Sequence, residues 1–198
     1  EQKEVYSLFI SELAAALHAK GKFVGVALHP RTGEPKSDAE NGSLFQDWDA
    51  LGRFADQLYI MSYGEHEDEG SPGPIASYPW VQEIIEYART TNVASSKIFL
   101  GIPLYGLAWE EGADKIAKTL TFADIQKRKQ DFQGQEIWDE VSRSPHIEYV
   151  KDGKTYEVWY ENAKSIKEKI ALADQAGIGG VTFWRLGGED PKVWKVTE

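Results

Sequence analysis

The sequence predicts an α/β protein built from βα repeats, and three observations carry that prediction. The run Ile98-Phe99-Leu100-Gly101-Ile102 is almost continuously apolar, bounded by Ser95-Ser96 and Pro103, as a strand covered on both faces should be. Three further runs share its grammar: Phe23 to Pro30, Gln57 to Gly64 and Gly180 to Gly187 each follow a helix-like segment and end in aromatic, polar and Gly/Pro residues. Strands alternating with helices imply a parallel sheet with its chemistry at the strand C-termini. With 198 residues the chain can bury a sizeable core, but it is shorter than the roughly 250 residues of a closed eight-stranded βα barrel. Four βα units amount to about half of one.

In chain order, residues 4–19 read as a helix with Phe9, Leu13, Ala16 and Leu17 inward, beside Ile10 and Ala14, and Gly21 is placed to stop it. A strand is predicted over 22–28, a loop over 30–43, a short helix over 44–54 and a strand over 57–62. Gly, Glu, Asp, Ser and Pro make 64–77 a long loop above a strand end. Tyr78 to Thr91 reads as a helix, with Pro79 in its first turn and a stripe of Val81, Ile84, Ile85 and Ala88. The strand at 97–102 ends at Pro103, which has no ladder donor, and Tyr105, Gly106 and Trp109 fall where a strand-to-helix loop should begin.

The rhythm then breaks. Residues 110–161 read as a small α+β insertion, with a helix near 121–130 and a hairpin turning at Asp152-Gly153. A helix over 162–176, capped by Asn162 and stopped by Gly177, restores it, and a strand over 179–185 and the start of a helix at Pro191 complete it.

Composition excludes several functions. Lys plus Arg is 22 and Asp plus Glu 32, a net charge of −10, which disfavours nucleic acid and anionic membranes as partners. There is no cysteine, hence no disulfide, thiolate metal site or cysteine nucleophile. No apolar run approaches the 18 or so residues that span a bilayer, and Glu1-Gln2-Lys3-Glu4 reads as mid-protein sequence without a signal peptide. His18, His29, His66 and His146 form no ligand pair, and Glu65 to Glu69 reads as a solvated acidic loop lacking EF-hand spacing. No cofactor is expected, since Gly101 to Gly106 lacks the Lys-Ser/Thr of a phosphate loop and no Gly-x-Ser-x-Gly elbow occurs. Glycosidic cleavage needs a general acid with a raised pKa, and among Glu65, Glu110, Glu111, Glu189 and Asp190 spacing selects none. The 7 Trp and 9 Tyr suit a sugar site, although on the residues alone each ring reads as core packing.

The strands carry a resemblance. Leu58-Tyr59-Ile60-Met61-Ser62-Tyr63, Gly101-Ile102-Pro103-Leu104-Tyr105-Gly106 and Gly179-Gly180-Val181-Thr182-Phe183-Trp184 resemble the sixth, seventh and eighth strands of the family 18 glycoside hydrolases. Residues 110–161 are similar to that family's α+β insertion, and Glu65-His66, 70–77 and Glu157 to Glu161 to its bacterial branch, which includes spore-cortex peptidoglycan N-acetylglucosaminidases. The resemblance implies a (β/α)8 TIM-barrel type of fold, of which this chain holds about the last four units. It implies a substrate-assisted retaining glycosidase acting on N-acetylglucosamine-containing glycans such as peptidoglycan or chitin, extracellular, cell-wall or spore-associated. The family's acid closes an Asp-x-x-Asp-x-Asp-x-Glu motif, which does not occur here. The expectation is therefore a fragment that starts downstream of the acid and is inactive alone. By the same resemblance, Tyr63 orients the acetamido group, Trp184 floors the subsite of the cleaved sugar, and Met61 lines the pocket. Tyr105 and Trp109 contact sugar or wall. Gly64 stands where many members carry Asp, with Glu65 as its possible replacement. The rival expectation is a non-catalytic, chitinase-like carbohydrate-binding protein. A half barrel with two unpaired edges would also self-associate.

Overall fold

In the computed structural model, residues 2–35, 43–67, 70–112 and 117–197 are described. Residues 1–62, 82–101 and 173–182 form one compact unit, and 63–81, 102–172 and 183–198 another.

The first unit is organised on a four-stranded sheet of order β1-β2-β3-β9, made by β1 (Gly25–Leu28), β2 (Gln57–Ile60), β3 (Ile98–Pro103) and β9 (Gly180–Trp184). β1 pairs with β2, and β2 with β3, in parallel, with Gly25 opposite Gln57 and Leu58 opposite Ile98. The sheet is open, with β1 and β9 at its edges. The α/β architecture stands, therefore, while no barrel is closed. β3 is buried along nearly its whole length, Leu100 and Ile102 completely, as its apolar run predicts. In β2 buried Leu58 and Ile60 alternate with half-buried neighbours. That strand is covered more heavily on one face, and its apolar run does not reveal this.

α1 (Gln2–His18) runs to a left-handed Gly21, φ +64°. Its buried positions are Ile10 and Ala14, whereas Phe9, assigned to the inward stripe by spacing, is 56% exposed and Ala16 is also exposed. Val5, Leu8 and Phe9 form a second apolar face, so spacing cannot choose between the two. The region 44–54 is two elements, a single 3₁₀ turn at Ser43–Phe45 and α2 (Trp48–Phe54). Asp47 separates them by accepting the Ala50 N–H at 3.0 Å, an N-cap. Lys97 closes the other end of α2, donating to the carbonyls of Gly52 and Ala55 at 2.8 Å each. α3 (Tyr78–Thr90) buries Val81, Ile84, Ile85 and Ala88, as predicted.

The second unit contains a five-stranded sheet of order β5-β4-β8-β7-β6. β4 (Gly106–Glu110) corrects the expected strand-to-helix loop: it pairs antiparallel with β8 (Lys154–Tyr160), Gly106 opposite Tyr160 and Glu110 opposite Tyr156. Gly106 gives the segment its loop-like look, yet it is glycine because a Cβ there would lie 2.6 Å from Ile125 and 2.7 Å from Tyr160. β7 (Ser144–Lys151) and β8 form the expected hairpin, turning through left-handed Asp152 and Gly153, φ +52° and +75°. β5 (Lys118–Leu120) and the edge strand β6 (Gln135–Asp139) carry too few apolar residues to be predicted.

α4 (Phe122–Asp131) starts in a capping box between Thr121 and Asp124. One sheet face, with Ala108, Val158, Tyr160 and Ile147, packs with Ile125 of α4. The opposite face, with Leu107, Trp109 and Trp159, packs with Ile75 and is joined by Tyr63 and Tyr105. α5 (Ala163–Ala176) is capped by Asn162, which accepts from the Lys164 and Ser165 amides, and stops at left-handed Gly177.

Candidate active site

Tyr63 lies three residues past the end of β2 and begins the 63–77 loop of the second unit. Gly64 turns the chain at φ +89°, a conformation that disfavours side chains. The loop closes on itself, because the Gly64 and Glu65 amides both donate to the Ile75 carbonyl, at 2.9 and 3.1 Å. The Glu65 carboxylate then accepts from Ser77 twice, from its N–H at 2.6 Å and its hydroxyl at 2.8 Å. Ser77 in turn accepts the Trp80 amide at the start of α3. His66 bonds the Ser71 carbonyl through Nδ1 at 3.0 Å, its ring against Gly73, where a Cβ would fall 2.4 Å away.

Trp109 projects from β4 and is 4% exposed; its indole N–H donates to the Gly70 carbonyl at 3.0 Å. It therefore pins the loop from behind. Trp159, beside it in the same apolar cluster, stacks on His146 at 4.3 Å and donates its N–H to Glu157 at 2.5 Å. In front, Tyr63 and Tyr105 meet edge to face, centroids 6.5 Å apart. Both are half-buried, and burial raises the Tyr63 phenol above its ordinary pKa, so at neutral pH it is a hydrogen-bond donor. Among the described residues, no group bonds its hydroxyl.

Trp184 ends β9 and is 57% exposed, and its carbonyl accepts the Leu104 N–H at 2.6 Å, fixing it beside the Leu104-Tyr105 segment. Phe183, the preceding residue, points the other way and packs edge-on against Trp194. Below Tyr105, whose carbonyl accepts the Glu161 amide at 3.4 Å, Glu161 and Lys169 form an ion pair at 2.9 Å, each side chain 1% exposed. Burial holds the Glu161 carboxyl above its ordinary pKa.

Of the predicted residues, Tyr63, Glu65, Tyr105, Trp109 and Trp184 belong to the second unit, and Met61, whose amide donates to the Leu28 carbonyl, to the first. Within the second unit, Trp159 packs with Trp109, Ser77 bonds Glu65 and Glu161 of the buried pair bonds Tyr105, yet sequence spacing gives them no role. Asp68 and Glu69 of the acidic stretch fall outside the described residues. Among the described residues, no cluster of three His, Asp or Glu is placed to hold a metal, and no helix is long and apolar enough to cross a membrane.

Residues 1–189 match the model of the family described as Glycosyl hydrolases family 18. An uncharacterized glycosylase, YvbX, of Bacillus subtilis (strain 168) is 29% identical over 196 residues, covering 98% of this chain and 56% of the relative. The cortical fragment-lytic enzyme of Bacillus anthracis is 27% identical over 202 residues, covering 99% and 46%. The crystal structure of the Bacillus cereus spore cortex-lytic enzyme SleL superposes with a TM-score of 0.90 at 27% identity, over 99% of this chain and 45% of that one. That of a chitinase from Chromobacterium violaceum ATCC 12472 gives 0.87 at 33% identity, over 98% and 60%. The chain thus spans about half the length of the curated relatives it matches. From an open βα sheet, an α+β insertion and the tyrosine- and tryptophan-bearing strand ends, sequence and structure converge: this chain belongs to the family 18 glycosyl hydrolases.

Proposed function

We propose that this chain forms one wall of the active site of a retaining glycosidase that cleaves N-acetylglucosamine-containing glycans of the bacterial cell wall or spore cortex. The carrying observation is the Tyr63 hydroxyl, half-buried and without a partner among the described residues, in the same unit as the exposed ring of Trp184. In a substrate-assisted mechanism the acetamido oxygen of the cleaved sugar attacks its own anomeric carbon as a general acid protonates the leaving oxygen. Tyr63 donates a hydrogen bond to that acetamido group and holds it in line, and its raised pKa keeps the proton in place. Trp184 stacks on the sugar face, and Tyr105 lines the pocket beside Tyr63. Trp109 supports the wall from behind.

Glu65 enters as the replacement for an aspartate contact. A carboxylate offers about four acceptor sites, and Ser77 occupies two of them, which leaves capacity for the acetamido N–H. The acid is assigned to the portion of the relatives that this chain does not span, because its motif is absent from the 198 residues.

The test joins this chain to an upstream segment carrying that motif and follows the anomer released from a GlcNAc tetramer by NMR. Turnover with retention is expected, and Tyr63→Phe should lower it by about a hundredfold, the scale of one transition-state hydrogen bond. Full turnover in Tyr63→Phe and in Trp184→Ala would refute the site. An active-site Glu replaced by Gln or Leu in the natural upstream sequence would favour the carbohydrate-binding alternative.

A further inference from the structure

Among the buried charged side chains of the second unit, Glu161 and Lys169 have no part in the chemistry proposed above. Glu161 stands between the end of β8 and the start of α5, and Lys169 lies within α5. Their ion pair is closed at 2.9 Å, with each side chain 1% exposed. It is an incomplete pair. An ammonium carries three donors, and among the described residues Lys169 finds one acceptor, Glu161 Oε2. Attraction offsets the loss of hydration in such a pair only when the remaining hydrogen bonds are also made, and apolar replacements of similar volume are often neutral or stabilising. Stability alone does not explain these two residues.

Their position does. The β4–β8 ladder ends at the Gly106–Tyr160 pair, and one residue beyond it the Glu161 amide donates to the Tyr105 carbonyl at 3.4 Å. That is longer than the usual N–H···O separation of about 2.7–3.2 Å, so this last rung holds only as firmly as Glu161 itself is held. Lys169 holds Glu161 through its side chain. The helix that carries Lys169 is itself anchored, by the Asn162 cap and by Asp190, which is buried and accepts the Ala163 N–H at 3.0 Å. On the other side, the Leu104 amide donates to the Trp184 carbonyl at 2.6 Å. The Tyr105 backbone is therefore fixed between a short bond and a long one, and the buried pair governs the long one. The Tyr105 ring meets Tyr63 edge to face, so a shift of one is felt by the other.

We infer that Glu161 and Lys169 are positioning residues: their buried ion pair fixes the Tyr105 segment and, through it, the Tyr105–Tyr63 ring pair that faces the sugar. The inference rests on the assignment of Tyr63 and Tyr105 to the sugar wall and deepens it by naming what holds that wall in place. Supporting groups of this kind, mounted on an anchored helix, keep a binding constellation within a fraction of an ångström.

The test removes both charges at once, in Glu161→Met/Lys169→Met and, as a second variant, Glu161→Gln/Lys169→Met. Neither leaves an unpaired buried charge, so both should fold, as urea denaturation checks. The chain is labelled with 3-fluorotyrosine, and the resonances of residues 63 and 105 are identified by their loss in Tyr63→Phe and Tyr105→Phe. Fluorine spectra of the ligand-free proteins are then compared, followed by calorimetric titration with (GlcNAc)4. The Tyr105 and Tyr63 resonances should shift or broaden in the double variants, while that of Tyr149, on the opposite face of the sheet, stays. Affinity should fall about tenfold, within the range by which residues that touch no ligand alter binding. A pair that serves folding alone would move the urea midpoint and leave the Tyr105 resonance in place. That result, full affinity in a folded double variant, or loss of folding in both variants overturns the inference. A shifted Tyr105 resonance in a parent chain that does not bind (GlcNAc)4 supports the positioning of the ring pair and refutes its reading as a sugar wall, so the two fail separately.

Discussion

Replacing Glu65 by Ala should unfasten the loop that carries Tyr63. The carboxylate accepts two short hydrogen bonds from Ser77, at 2.6 and 2.8 Å, and bonds to a charged group contribute about 1.5–3 kcal/mol each. Glu65 is half-buried, so the lower figure applies, and the loss comes to about 2–3 kcal/mol. For a folded region of 150–250 residues, where 1 kcal/mol moves Tm by roughly 2–4 °C, the midpoint should fall by about 4–12 °C in thermal denaturation followed by circular dichroism. Local opening should be easier by a similar free energy, so amide exchange over residues 64–77 should accelerate by roughly thirtyfold or more. Ser77→Ala keeps the backbone donor and should lose about half as much. The double variant should lose less than the sum of the two single losses, because both changes remove the same Ser77–Glu65 hydroxyl bond and only the weak Trp80 contact of Ser77 is lost in addition. A Tm within 2 °C of the parent, or strictly additive losses, would refute the clasp.

Two further perturbations probe the frame behind the site. Gly106→Ala places a methyl 2.6 Å from Ile125, 2.7 Å from Tyr160 and 2.9 Å from the Trp159 carbonyl, and should cost about 1–3 kcal/mol in urea denaturation by overpacking; an unchanged midpoint would show that β4 does not approach β8 so closely. Lys169→Met leaves the Glu161 carboxylate buried without its cation and should cost about 3–5 kcal/mol at neutral pH. The sign with pH follows from the raised Glu161 pKa: folding favours the protonated acid, so that stability is present below the ordinary carboxylate range and is lost as pH rises through the raised value. Lys169→Met should therefore regain stability between pH 7 and pH 5, a trend that a pH-independent loss would contradict, and adding Glu161→Gln should recover most of the deficit.

The parts legible in the sequence are those specified by local rules. The α3 stripe, the Asn162 cap, the Gly21 and Gly177 stops and the Asp152-Gly153 turn all lie where periodicity and turn chemistry place them. The misses have non-local causes. Gly106 looks like a loop residue until Ile125 and Tyr160, distant in sequence, press on it. Phe9 and Ile10 are equally good inward candidates, and only the tertiary contacts of α1 bury Ile10 and leave Phe9 exposed.

The candidate site shows the same division at finer scale. A motif match points to Tyr63 and Trp184 and leaves Trp109 open between sugar and wall; in the structure Trp109 is buried and engaged through its indole N–H. Glu65 looks like a free acid in an acidic stretch, yet its oxygens are held by a serine 12 residues away. Both residues thus shape the loop whatever they contribute to a sugar, so a loss of binding on mutating either would not by itself show a contact with the ligand. Tyr63, whose hydroxyl has no hydrogen-bond partner among the described residues, is the position where a loss of binding can be assigned to the ligand itself.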